Sequence, residues 1–187
     1  MKSDIEQACE VLNNGGTILY PTDTIWGIGC DATSPECVAG VYDIKRRDDS
    51  KALIVLMPDM AMVEKYFGAQ PKPVMELLTC PDRPTTVILP GAKGLAHNLS
   101  AEDGTVGIRI TREPFSNALC RAFGKPLVST SANISGEPSA PTFDLISDSI
   151  KEKADYSCTT RRDDRSIHQP SRIVKIDSDG NIIILRP

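Results

Sequence analysis

Short apolar runs alternate with amphipathic stretches along the whole chain. Ile5, Ala8, Cys9 and Leu12 recur at helical spacing. Ser3 and Glu6 frame this repeat as a capping box, and Gly15-Gly16 ends it. "TILYPTDTIWGIG" reads as an apolar strand broken at Pro21. Ser34-Pro35-Glu36 opens a second helix, with Pro at its first position and Val38, Val41, Tyr42 and Ile44 facing inward. "KALIVLM" has the unbroken apolarity of a strand covered on both faces. Asp59 opens a short helix reaching Gly68, and another covers about 73–79. "TTVILP", "TVGIRI" and "PLVSTSAN" read as strands. Between the last two, Glu113 to Phe123 forms a helix with Phe115, Ala118, Leu119 and Ala122 inward, stopped at Gly124. A helix is predicted over about 143–153. "SRIVKI" and "NIIILR" should pair as a hairpin across residues 177–180. Strands alternating with helices predict an α/β fold, a mixed sheet with helices packed on it.

A length of 187 residues suits one domain, 1–187, with a sizeable core. No apolar run approaches a membrane span, and the acids of "MKSDIEQACE" sit where a signal peptide needs an apolar core. A cytoplasmic protein without a membrane partner is expected. The six cysteines include no C-x-x-C pair and suit reduced, buried thiols. The two histidines, His97 and His168, have no ligand-like neighbours, so no protein-held metal is expected. Aromatic residues, at 5%, offer little for base stacking.

Charge changes the picture at one place. The net charge is −4, yet Lys45, Arg46, Arg47 and Lys51 crowd together in "IKRRDDSK". Such crowding is costly unless a negative group sits among the cations, or unless the cluster is a solvated helix end. The strands add polar groups with a common direction. Side chains two apart share a face, which groups Thr105, Gly107 and Arg109 on "TVGIRI" and Ser129 with Ser131 on "LVSTS". Thr22 and Thr24 point the same way, and Asn133 sits at a strand exit. An arginine on a core strand needs a partner, and Gly107 leaves room beside it for a ligand or another backbone. Either these strands present hydroxyls and cations to one cleft, or the hydroxyls bond neighbouring backbone. The Walker pattern is absent, "GIG" at 27–29 is too short for a dinucleotide fingerprint, and no G-x-S-x-G marks a nucleophile.

"YPTDTIWGIG", "KRR" followed by "SKALIVL", "VGIRI", "STSANISGEPS" and "ILRP" together resemble the YrdC-like family, from Thr17 to Pro187. Members with these features are threonylcarbamoyl-AMP synthases. The resemblance implies an open, twisted α/β sheet with flanking helices and a basic concave cavity. It implies synthesis of L-threonylcarbamoyladenylate from L-threonine, bicarbonate and ATP with Mg2+, for the tRNA threonylcarbamoyl-transferase machinery. It places Lys45 and Arg47 in catalysis through the phosphates. ATP contacts fall on Arg47, Lys51, Thr105, Ser131, Asn133, Ser139 and Arg186. Threonine contacts fall on Thr24, Arg109, Ser129 and Ser171. The chain departs from the pattern at Leu56, where some relatives carry His, at the turn Cys80–Pro84, and at Ser171-Arg172-Ile173-Val174. "TTRRDDRSIHQP" could act as a lid. The alternatives are a module that binds double-stranded RNA or tRNA, and a paralogue without synthase activity.

Overall fold

A computed structural model describes residues 1–47, 53–177 and 179–187. The strands are β1 (Ile18–Tyr20), β2 (Gly27–Gly29), β3 (Ile54–Met57), β4 (Thr85–Pro90), β5 (Thr105–Ile110), β6 (Leu127–Ser131), β7 (Tyr156–Ser157), β8 (Arg172–Ile176) and β9 (Ile182–Arg186). Among the described residues they form one open sheet in the order β7-β1-β2-β6-β3-β5-β4-β8-β9. It is mixed, with β3 parallel to β5 and β4 parallel to β8, while β6 runs antiparallel to β3. The helices are α1 (Lys2–Asn13), α2 (Pro35–Lys45), α3 (Met60–Phe67), α4 (Lys72–Thr79), α5 (Pro114–Phe123) and the single turn α6 (Asp148–Lys151). None is long and apolar enough to cross a membrane.

The two faces of the sheet carry two cores. On β3, Val55 and Met57 join the cluster beneath α2, α3 and α4, while Leu56 joins the cluster beneath α1 and α5. This is the doubly covered strand that its unbroken apolarity predicts. Leu56 pairs with Arg109 and Leu127, so Arg109 and Ser129 lie on the α1/α5 face. That face is apolar where the two helices cover it and polar beyond them.

Several elements differ from expectation for definable reasons. The "TILYPTDTIWGIG" run is two antiparallel strands, with Ile18 opposite Gly29 and Tyr20 opposite Gly27. Pro21 ends the first, and the Thr22 hydroxyl closes the turn by accepting from Thr24 N–H and donating to the Ile25 carbonyl. On α5 the buried stripe is Phe115, Ser116, Leu119, Cys120 and Phe123, whereas Ala122 is exposed. Packing selects the large side chains. The helix predicted over 143–153 is broken at Ile146 and Ser147, which are extended. The break lets both Ile146 and Ile150 reach the core.

The predicted capping box is also replaced. Helix α1 starts at Lys2, with no side-chain cap on Met1. Asp4 turns inward, where it is 4% exposed. Its carboxylate accepts from Tyr156 Oη at 2.6 Å, Thr159 N at 3.0 Å, Thr160 N at 2.7 Å and Thr160 Oγ1 at 2.6 Å. Burial alone would raise its pKa, but the four donors outweigh it and hold the group at about 2. Between about pH 4 and pH 2 the unfolded chain therefore binds the proton and the folded chain does not. The stability from Asp4 is complete above this window and is lost as pH falls through it. We expect Asp4→Asn to cost about 2 kcal/mol at neutral pH, with the difference from wild type shrinking toward pH 2 in thermal melts. A pH-independent difference would refute this.

Candidate functional site

Helix α2 ends in an unusual turn that separates the members of the basic cluster. Arg46 takes a left-handed backbone, φ 48°, where glycine is the common choice. Arg46 N–H and Arg47 N–H close the turn on the Asp43 and Tyr42 carbonyls. Lys45 is thereby sent inward, to 1% exposure, while Arg47 reaches the polar face. The Lys45 ammonium donates to the Ser131 carbonyl and, at 2.7 Å, to the Asn133 carbonyl. In return the Lys45 carbonyl accepts from Ser135 N–H at 2.8 Å. Asn133 braces the same turn, with Nδ2 donating to the Ile134 and Glu137 carbonyls. Burial, and then the like charge of Arg47, pulls the Lys45 pKa down to about 8. Lys45 and Asn133 thus hold the "SANISG" turn from behind rather than lining a cavity. Lys45→Met should leave the Asn133 carbonyl without a donor and the Ser131 carbonyl with only Asn133 N–H, and cost about 1–3 kcal/mol. Urea denaturation checks this; a loss under about 0.5 kcal/mol would contradict the clamp.

In front of that turn lies a cavity of about 210 Å³ on the α1/α5 face of the sheet. Thr24, Trp26 and Gly27 come from the β1–β2 turn and the start of β2, and Arg109 from β5. β6 supplies Ser129, Thr130 and Ser131, and the following turn supplies Ser139. Pro170 and Ser171 precede β8, and Arg186 ends β9. Among the described residues, three arginines line it and no carboxylate does. The arginines share one field. Burial, and then the like charges of Arg109 and Arg83, push the Arg186 pKa down. Burial does the same for Arg47. Such a concave positive site attracts anions.

Hydrogen-bond inventory fixes what two hydroxyls offer. The single Thr22 proton goes to the Ile25 carbonyl at 2.7 Å, so the 3.0 Å contact between Thr22 and Thr24 uses the Thr24 proton. The Thr24 oxygen then presents only lone pairs, one of them to Arg109 Nη2 at 3.4 Å. It can accept from a ligand N–H or O–H but cannot donate. Ser171 is held by Arg186, whose Nη2 donates to its hydroxyl at 3.2 Å and whose Nε donates to its carbonyl at 2.9 Å. A third contact, Ser171 Oγ to Thr86 Oγ1 at 2.9 Å, ties it to β4.

Of the residues named from sequence, Thr24, Arg47, Arg109, Ser129, Ser131, Ser139, Ser171 and Arg186 meet in this cavity. Lys51 lies outside the described residues. Thr105 is elsewhere: its hydroxyl donates to Asp103 Oδ1 at 2.6 Å, beside a separate groove with Lys175 and Leu185. Gly107 does not open space for a ligand or a backbone. Thr86, Ile88 and Ile54 side chains fill it, at 3.2–3.5 Å from where a Cβ would stand. Leu56 is fully buried in the α1/α5 core. The segment expected as a lid is fastened to the body. Arg161 donates to the Thr22 carbonyl at 3.1 Å and pairs with Glu113 and Asp164, and Arg165 pairs with Asp144. Trp26 lines the cavity and Asp23 contacts Arg109 behind it; the sequence reading names neither, since strand alternation says nothing about a turn. A lone Trp inside "TDTIWG" was the one available signal.

The sequence profile of the Sua5/YciO/YrdC family, described as telomere recombination, matches residues 10–187. The threonylcarbamoyl-AMP synthase of Alkalilimnicola ehrlichii is 38% identical over 136 residues, covering 73% of this chain and 71% of that protein. The enzyme of the same name from Vibrio campbellii is 30% identical over 154 residues, covering 80% and 83%. The crystal structure of P. abyssi Sua5 complexed with L-threonine superposes with a TM-score of 0.84 at 21% identity, covering 98% of this chain and 53% of that one. That superposition is evidence of fold. With the profile spanning nearly all of its length, the chain belongs to the Sua5/YciO/YrdC family.

Proposed function

We propose that the chain joins L-threonine, bicarbonate and ATP into L-threonylcarbamoyl-AMP and releases pyrophosphate. One observation carries this reading. Among the described residues the cavity gathers Arg47, Arg109, Arg186 and six hydroxyls with no carboxylate, as a site for a triphosphate and a carboxylate would need. The synthase names of the relatives support it.

In this reaction the threonine ammonium gives up a proton, and its nitrogen bonds to the bicarbonate carbon as water leaves. A carbamate oxygen then bonds to the α-phosphorus of ATP. The bridging bond to the β-phosphate breaks, and pyrophosphate departs with the electron pair. Positioning and charge neutralisation do most of such work. Arg47 and Arg186 are assigned to the phosphates, and Ser131 and Ser139 to the nucleotide. Arg109 is assigned to the threonine carboxylate, with Thr24, Ser129 and Ser171 on its polar groups. As the lining has no carboxylate among the described residues, Mg2+ fits as a companion of the triphosphate, where it would neutralise phosphate charge. The product is a labile mixed anhydride, suited to immediate transfer to tRNA by a partner machinery in the cytoplasm.

The test is pyrophosphate release from ATP and Mg2+, with threonine or bicarbonate omitted in turn. Release that requires both is expected. Release that needs neither, or none at all, overturns the assignment.

A further inference from the structure

Asp23 lies behind the cavity in the β1–β2 turn and is not part of its lining. Its Oδ1 stands 3.0 Å from Arg109 Nη2, with the two side chains 13% and 4% exposed. The contact is an ion pair without hydrogen-bond alignment, since Asp23 Oδ1 has no hydrogen-bond partner. Arg109 donates one hydrogen bond to the protein, from Nη2 to Thr24. Its Nε is buried without any acceptor. An arginine this buried needs a counter-charge. Asp23 supplies it while leaving most of the guanidinium donors uncommitted. The other nearby carboxylate, Glu113, is occupied: it caps α5 through Phe115 and Ser116 N–H, and Arg161 pairs with it at 3.4 Å.

We infer that Asp23 is a positioning residue that neutralises Arg109 and holds its guanidinium at the cavity by charge, so that the free donors meet the carboxylate of the amino-acid substrate. This rests on the synthase reading, in which Arg109 takes that carboxylate. A planar fork recognises a carboxylate only at the right angle; the hydrogen bond to Thr24 gives Arg109 its direction, and the Asp23 charge keeps it there.

The experiment compares wild type, Asp23→Asn and Asp23→Glu by direct L-threonine binding and by threonine-dependent pyrophosphate release, with melting curves confirming the fold. Asp23→Asn is expected to raise the threonine KM about tenfold with kcat within about threefold, the effect of one charge-assisted contact. L-Threoninamide, which lacks the carboxylate, should bind both proteins alike. In the Arg109→Lys background, Asp23→Asn should add little. Should Asp23→Asn fail to fold, Asp23→Glu keeps the charge but displaces it, and the same rise in KM is expected. Wild type that binds no threonine overturns the synthase reading and this one together. Wild type that binds it, with a folded Asp23 variant equal to it, overturns this one alone. So does an equal loss of threonine and threoninamide binding.

Discussion

Gly29→Ala is expected to cost about 4 kcal/mol or more and to lower the melting temperature by roughly 8–16 °C. Gly29 pairs with Ile18 on one side, and β6 approaches it on the other. A Cβ at this position would stand 2.2 Å from the Val128 carbonyl oxygen and 2.9 Å from Tyr20 Cε1. Neither neighbour can move cheaply. The Val128 carbonyl accepts from Tyr20 Oη at 3.1 Å, and Val128 N–H donates to the Cys30 carbonyl at 2.9 Å. The methyl group must therefore push β6 away from β2, unlike ordinary overpacking, which side chains absorb. One residue further on, β6 carries Ser129 into the cavity, so the threonine-dependent reaction should suffer as well. Gly40→Ala is the control. It lies within α2 with nothing inside 4 Å of its would-be Cβ, and should stabilise by about 0.5–1 kcal/mol. A Gly29→Ala protein melting within about 3 °C of wild type would show that β2 and β6 are not this close.

Local rules and tertiary contacts divide this molecule in a readable way. Strand periodicity identified the face shared by Arg109 and Ser129, because the alternation of a strand survives any packing. It failed at Thr105. That residue does share the Arg109 face, but it stands at the far end of β5, opposite Pro90, and bonds to Asp103. Alternation gives direction and not distance along the sheet. Lys45 shows a second limit. Its neighbours in sequence are cations, which suggests a common ligand. The left-handed turn at Arg46 instead directs it to the carbonyls of residues 86 and 88 positions away. Asp4 shows a third. A short polar residue near a helix start reads as part of a cap, and only the arrival of Tyr156, Thr159 and Thr160 shows why it is buried. For Lys45 and Asp4 the missing information is long-range.

Arg109→Lys is expected to raise the threonine KM roughly 30- to 150-fold, with a smaller change in kcat. This substitution isolates geometry from charge. A lysine on β5 keeps a cation near Asp23, so the buried carboxylate is not orphaned and the fold should survive. What it cannot reproduce is the planar fork, whose Nε lies buried and without an acceptor. Losing one charge-assisted hydrogen bond to a bound carboxylate corresponds to about 2–3 kcal/mol, which sets the expected range. Arg109→Ala would be less informative, since it leaves Asp23 uncompensated next to Glu113 and mixes misfolding with lost binding. The KM for ATP should move little, because Arg47 and Arg186 remain. A threonine KM within threefold of wild type would mean that the carboxylate is recognised elsewhere in the cavity. A large rise in the ATP KM with threonine unaffected would exchange the roles, placing Arg109 on the phosphates.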